Sequence, residues 1–423
     1  MKHRSENGER LSVAIIGAGI VGCSIALGLA RERHKVTIFD RKEPGSSTSY
    51  GNAGAIVTGS ITPTATPSVI RSMPSYVFDH RSPAVLRLNH AFNALPWLLR
   101  FILAGTQGSV DRIAAAMYPL VSRALDAHRE YAAFADVTEM LSVEGWLKVY
   151  SSPSDFDGTS LERRLMARHG VVHEILDQHA VLDLRPGLNP ALCFKGLYQP
   201  NAGNVRYPKG LAKAYLTAAR QLGTRFIGEN VVAIAPRNSA GVTLRSEQNS
   251  HKFDRLVVAG GAWSTLITKK LGERISLESE RGYHISFGPG SEQLLPGPVV
   301  VPGKGFVLSP MHDGLRLVSG DELAGLKAPP NYSRIQALLP TAMEFLPGLS
   351  DWQPASKWMG HRPSTPDTLP VIGEASSDPN IIYAFGHGHL GVTLSAITAQ
   401  LVADLIAKRP SEIDLSPYDP KRF

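Results

Sequence analysis

The sequence predicts an α/β protein in which a helix-wrapped parallel sheet is interleaved with an α+β part built on an antiparallel sheet. Three observations carry this. Residues 12–40 read as an apolar run, a glycine turn, a helix-period segment and a second apolar run, the strand–helix–strand order of a parallel sheet. Two later apolar runs, 253–259 and 381–385, also end in glycines just before a helix. Between them, residues 280–287 and 305–319 have strand character, the second with a turn at His312, Asp313 and Gly314.

The first unit is the most specific. Its turn reads Gly17-Ala18-Gly19-Ile20-Val21-Gly22. Gly17 makes the tight turn, Gly19 lets the backbone approach a pyrophosphate, and Gly22 lets helix and strand pack closely. The helix start offers free N–H groups and a positive dipole end to phosphates. Asp40 closes the second strand where an acid accepts hydrogen bonds from ribose hydroxyls. The unit is therefore a Rossmann-type dinucleotide site, and the acid argues against a 2′-phosphate and so against NADP.

The rest follows in chain order. Residues 44–54, rich in Gly and Ser, give close backbone approach and many donors, either as a surface loop or as a second cofactor-contacting segment. Residues 61–83, rich in Pro, Ser and Thr, read as loop. Val85, Leu88, Phe92, Leu95, Leu99 and Ile102 recur at helical spacing, with Pro96 breaking or kinking the run. The very apolar stretch 95–103 either packs on the core or meets a membrane surface. Helices are expected over 111–136, 160–169, from Pro208 to 222, over 332–345 and from the final glycine loop to about Lys408. Strands are expected near 141–150, over 225–235 and over 241–246.

Composition bounds the function. The 423 residues, 43% apolar and 19% charged, suffice for two domains with large cores. The net charge of +7 suits an acidic partner, an anionic membrane surface or an anionic substrate. The basic residues are scattered, which argues against nucleic acid. Cys23 and Cys193 have no metal spacing and read as small buried residues, which fits a reducing cytoplasm. Residues 1–10 are polar and do not read as a signal peptide, and the absence of an 18-residue apolar run predicts no membrane span.

Four segments now line up: GAGIVG with Asp40, GNAG at 51–54, VVAGGAWS at 257–264, and MGHRPSTPDTLPVIG followed by GHGHLG across 359–391. Together they resemble the D-amino-acid oxidase superfamily of FAD enzymes over nearly the whole chain, and most of all its bacterial D-amino acid dehydrogenases, including the single-chain type acting on D-proline and D-hydroxyproline. The terminal pair is the most specific, through Arg362, Pro363, Thr365, Asp367, Pro370 and Gly373, then Gly386, His387 and Gly391.

The resemblance implies FAD. Gly17, Gly19 and Gly22 would hold the pyrophosphate, Asp40 with Arg41 the adenosine ribose, and Val231 the adenine by its backbone. Ser47, Asn52 and Gly54 would approach the diphosphate and flavin, and Gly260 the pyrophosphate. Gly386, Gly388, Leu390 and Gly391 would lie at the pyrimidine edge of the flavin, where a helix N-terminus stabilises the negative charge of the reduced ring. Arg362 would grip a substrate carboxylate with its fork of donors and aim the α-C–H at flavin N5. Alternation puts Arg281 and Tyr283 on one strand face and His284 on the other, so either set could reach the site. His389 either touches substrate or packs on the flavin.

The resemblance divides the chain into an FAD-binding domain (1–85, 200–275 and 355–423) and a substrate domain (86–199 and 276–354). It implies hydride transfer from an amino or cyclic imino acid, with electrons passed to a quinone or other carrier, in the cytoplasm or at the inner membrane face. Two rivals are an oxidase using O₂ on amino acids, glycine or sarcosine, and a non-catalytic flavoprotein or tRNA-modifying relative. Peroxide release separates the first rival. A lost Arg362 or a long basic extension would favour the second, and the sequence has neither.

Overall fold

The computed structural model describes residues 9–78, 84–236 and 241–423. Most of the polar segment 1–10 and the end of the stretch 61–83 thus lie outside the described residues.

Six strands form the first sheet, in the order Val371–Glu374, Ile381–Phe385, Arg255–Val258, Ser12–Ile16, Lys35–Phe39 and Arg225–Ile227. All neighbours run parallel except the first pair. The chain leaves Ser12–Ile16 toward Lys35–Phe39 on one side and returns to Arg255–Val258 on the other. That reversal opens a crevice at the C-terminal ends of these strands, where doubly wound sheets bind ligands. Helices Ile20–Arg31 and Gly391–Ile406 pack together beneath the sheet, covered by Gln107–Phe134 and Pro208–Gln221. Gly28 leaves room for Tyr131 of the covering helix Gln107–Phe134, whose hydroxyl would stand 2.5 Å from an added Cβ. Residues 388–406 have the length and hydropathy of a membrane span, yet 72% of that window is buried, which marks a core helix.

The second sheet runs Ser356–Ser364, Glu278–Ser286, Gly314–Leu323, Phe306–Met311, Val299–Val301, Trp146–Tyr150, Lys195–Gln199 and Glu174–Leu176, with Ala84–Leu86 beside Gly314–Leu323. Its pairing is antiparallel apart from Val299–Val301 with Trp146–Tyr150 and the Ala84–Leu86 contact. Its outer face, which carries Phe306 and Leu317, packs on Phe345 and its neighbours. A smaller sheet of Val231–Pro236, Val242–Ser246 and Ser250–Phe253 flanks the first.

Several elements differ from the sequence reading. Pro67–Phe78 is a helix rather than a loop: Pro67 occupies the first helical position, where its missing N–H costs nothing. The expected helix from Val85 begins only at Ala91, after the short strand Ala84–Leu86, and continues through Pro96 to Ala104. The expected helix 332–345 splits into Ser333–Ala337 and Leu339–Phe345 around Leu338 and Pro340. Strand Ser356–Ser364, grouped above with the FAD-binding segments, pairs along its whole length with Glu278–Ser286. Helices Ala91–Ala104 and Gln107–Phe134, grouped with the substrate segments, pack in the core beneath the first sheet. An apolar stripe reveals that a face is buried but not against which layer.

Candidate active site

The glycine turn forms as read. Gly17 lies at φ +108°, and a Cβ at Gly22 would stand 1.9 Å from the Gly17 carbonyl oxygen, so only glycine lets the helix start this close to the strand. The Asp40 carboxylate accepts from the Ala18 N–H (2.8 Å) and the Lys42 N–H (2.9 Å), which fixes it at the mouth of the turn. The Ile20 N–H donates to Ser49 Oγ (3.0 Å), tying the loop 46–54 to the helix start.

From this turn a cavity of about 590 Å³ runs to the second sheet. It is bordered by Asp40, Arg41 and Val231, by Gly17, Gly19, Ser47, Asn52 and Gly260, and by Gly388, His389, Leu390 and Gly391. The sequence-predicted cofactor residues are thus brought together, except that Gly22, Gly54 and Gly386 stand behind the wall. Gly54 (φ +77°) and Gly386 (φ +82°) permit close packing instead: a Cβ would lie 2.2 Å from the Val205 carbonyl oxygen and 2.9 Å from Thr365 Cγ2, respectively. The bridge between Ser364 and His387 joins the two parts of the terminal motif. Its Thr365 and Asp367 are structural: Thr365 Oγ1 donates to the Leu369 carbonyl (2.8 Å), and Asp367 pairs with Arg422 (2.8 Å).

Register decides which side chains of the second sheet face the cavity. Glu280 lies opposite Arg362, Gly282 opposite Gly360 and His284 opposite Trp358, so these six share one face. Arg281 and Tyr283 share the other, and Arg281 is absent from the cavity lining. Arg281 is fully buried, donates to the Gly325 and Pro329 carbonyls and lies 3.7 Å from Glu322. Tyr283 borders the cavity only from the strand side, because its hydroxyl donates to Glu322 Oε2 (2.5 Å) on the opposite face. His284 faces the right way but is covered: its ring stacks on Trp358 (5.0 Å) and its Nδ1 lies 3.4 Å from the Gly51 carbonyl oxygen. Burial, with Arg316 nearby, pushes this imidazole down to about 3, so it is neutral.

Arg362 does line the cavity. Its Nη1 donates to the Gly320 carbonyl (2.7 Å) and Asp321 Oδ1 (2.5 Å), and lies 3.5 Å from Glu280 Oε1. No hydrogen bond joins Nε or Nη2 to any described residue, so the edge able to form a bidentate carboxylate pair is open. The guanidinium lies flat on Gly282, where an added Cβ would be 2.4 Å from Nη2. Burial beside Asp321 pushes the Glu280 carboxyl up to about 8. His389 also lines the cavity and is exposed rather than buried there.

The sequence reading missed the clamp on loop 46–54. Arg316, 1% exposed, donates from Nη1 to the carbonyls of Tyr50 (2.9 Å) and Asn52 (3.0 Å). Ser309 Oγ donates to the Ala53 carbonyl (2.7 Å), and Thr48 Oγ1 to the His361 carbonyl (2.9 Å). It also missed the wall formed by Trp146, Lys148, Val300, Val307 and Val318. The alternation Leu315-Arg316-Leu317 was the available signal for Arg316, whereas Val318, apolar next to Leu317, breaks it.

The whole-chain comparisons agree with this geometry. Residues 12–405 match the model of the family described as "FAD dependent oxidoreductase" (DAO). The chain belongs to this family. It is 36% identical over 426 residues to a D-amino-acid oxidase of Bradyrhizobium diazoefficiens, covering 98% of this chain and 99% of that one. It is 26% identical over 422 residues to a D-amino acid dehydrogenase of Allorhizobium ampelinum, covering 96% of each. In fold it is similar to the crystal structure of glycine oxidase from Geobacillus kaustophilus, with a TM-score of 0.74, 24% identity and coverage of 98% and 99%.

FAD is the family's cofactor, and the cavity fits it. At Gly19, Gly260, Gly261 and Gly388 an added Cβ would meet no atom nearer than 3.4 Å, so each leaves backbone open to a close ligand. Asp40 suits the ribose, the Gly17–Ile20 turn the pyrophosphate, and the helix start at Gly388–Val392 the electron-rich edge of the flavin.

Proposed function

We propose that this enzyme oxidises D-amino acids, with cyclic imino acids of the D-proline type among its substrates, and passes the electrons to a quinone or another carrier from the cytoplasmic side of a membrane. One observation carries the reading: Arg362 lines the cavity also bordered by Gly388–Val392, and no described residue engages its Nε or Nη2. Bound FAD supplies a two-electron acceptor there. Arg362 sets the plane of the substrate carboxylate, so the orientation of the α-C–H is fixed before reaction. An amine bound in its neutral form needs no strong base. The imine product hydrolyses to a 2-oxo acid and ammonia, or stays cyclic when the substrate is proline-like.

The names of the relatives support the D configuration. The carrier is supported by helix Ala91–Ala104. Trp97 and Phe101 pack inward, while Phe92 (91% exposed), Leu103 (67%) and Leu99 (55%) form an apolar outer face on a chain of net charge +7. Both cysteines are buried and free, in keeping with a reducing compartment. A second reading, direct use of O₂, is favoured by the oxidase name of the 36% identical relative.

Anaerobic titration of the holoenzyme with D-proline, hydroxy-D-proline, D-alanine and their L-forms tests the chemistry. Bleaching of the flavin band by D-forms alone is expected; a yellow protein that none of them bleaches refutes it. One peroxide per turnover, without acceleration by a quinone or dye, would replace the carrier by O₂. Co-sedimentation with anionic vesicles, weakened by Phe92→Ser with Leu99→Ser, tests the membrane face.

A further inference from the structure

Beyond Arg362, the cavity wall follows one line across the second sheet. The register sets His284 beside Val318, Val318 beside Val307, Val307 beside Val300, and Val300 beside Lys148. These neighbours share a face, and the three valines and Lys148 all line the cavity. Adjacent strands lie about 4.8 Å apart, so the valines make an apolar shelf about 10 Å long. That length takes an aliphatic or aromatic side chain.

The shelf ends on a charge that is already neutralised. Lys148 Nζ lies 2.5 Å from Glu162 Oε1, on helix Ser160–Arg168, and both side chains are largely shielded, at 22% and 18% exposure. The lysine stem completes the shelf while its ammonium is turned to the glutamate. A free ammonium at this place would be a receptor for a side-chain carboxylate. A paired one is not, because a second carboxylate would have to compete with Glu162 in a partly desolvated site.

We propose that the Val318–Val307–Val300 shelf is the subsite for the substrate side chain, and that Glu162 sets its specificity by holding the Lys148 ammonium, admitting apolar amino acids and rejecting acidic ones. The inference rests on the amino acid oxidation proposed above. Glu162 acts through Lys148 and is a positioning residue, so its test is a ratio between substrates and not an activity alone.

The experiment measures kcat/KM of the holoenzyme for D-alanine, D-valine, D-leucine and D-glutamate. In the wild type, kcat/KM is expected to rise about fourfold or more per added buried methylene from alanine to leucine, and to be lowest for glutamate. Glu162→Gln is expected to raise the glutamate-to-leucine ratio at least tenfold, and Lys148→Met to abolish that gain when combined with it. Val307→Ala is expected to lower the leucine-to-alanine ratio about tenfold, which keeps the proposal testable should Glu162→Gln fail to fold. A wild type with no preference along the series, or a glutamate-to-leucine ratio unmoved in folded Glu162→Gln, overturns the subsite while amino acid oxidation stands. Failure of every amino acid to reduce the flavin overturns both.

Discussion

The sharpest test of the site is Gly282→Ala. A Cβ at this strand position would stand 2.4 Å from Arg362 Nη2, 2.5 Å from Cζ and 3.0 Å from Nε. Carbon and nitrogen tolerate no approach much under about 3.4 Å, so the guanidinium must retreat by about 1 Å. The open edge then no longer meets a carboxylate at the 2.7–2.9 Å of a charge-assisted pair. Loss of one such hydrogen bond costs about 1.5–3 kcal/mol, or about 10- to 150-fold in kcat/KM. Stability should not fall, because the obstructed atoms are the far end of a flexible side chain and glycine inside a strand is itself unfavourable by roughly 0.5–1 kcal/mol against alanine. Stopped-flow reduction of the anaerobic holoenzyme by D-alanine separates binding from the limiting rate, with the flavin spectrum and melting temperature as controls. Arg362→Lys, which keeps the charge but loses the fork, should show a loss at least as large. Wild-type binding and rate in a folded Gly282→Ala protein would refute the placement of the substrate carboxylate on Arg362.

Three further outcomes are expected. Burial and the nearby Asp321 push the Glu280 carboxyl up to about 8, so Glu280 adds a negative charge beside Arg362 only above about that pH. KM for an amino acid should therefore rise above pH 8, and this limb should vanish in Glu280→Gln; superimposable profiles would sink the idea. Because the folded-state value lies above the ordinary 4.5, the wild type should also lose stability as pH climbs from about 4.5 through 8, a loss absent in Glu280→Gln by thermal melts across pH. Gly22→Ala drives a Cβ to 1.9 Å from the Gly17 carbonyl oxygen, backbone against backbone, and should destabilise the fold by on the order of 3 kcal/mol and yield protein without flavin; a yellow variant with the wild-type melting curve contradicts the packing argument. Arg316→Met strands the buried Tyr50 and Asn52 carbonyls and should loosen loop 46–54, seen as faster FAD release by fluorescence; release at the wild-type rate would show that the clamp does not secure the cofactor.

What was legible in the sequence was local. The turn at Gly17–Gly22, the acid at Asp40 and the loop at Gly386–Gly391 each lie within a few residues of one strand end, and residues of all three, though not Gly22 or Gly386, line one cavity. Arg362 could be named because it sits in a dense motif. The residues around it could not. Gly282 admits its guanidinium, and Asp321 and Glu280 hold it, only because strands 278–286, 314–323 and 356–364 meet in one register. Alternation correctly set Arg281 and Tyr283 against His284, but which side faces the cavity depends on the strands packed alongside, and a period of two carries no such information. The valine shelf is the same case, since its members lie on three strands and Lys148 on a fourth.

Loop 46–54 shows why the two sheets must act as one site. Its Ser49 side chain is fixed to the helix start of the nucleotide turn, while its carbonyls at 50, 52 and 53 are gripped by Arg316 and Ser309 of the second sheet. A cofactor lying on this loop is therefore registered against the strands that carry Arg362 and the valine shelf. For the proposed oxidation, a misplacement of about 1 Å between cofactor and substrate costs on the order of 100-fold in rate, so this coupling bears directly on activity. It also gives a task to a buried arginine outside the cavity lining: Arg316, stabilised by Asp313 and two carbonyls, ties loop 46–54 to the second sheet.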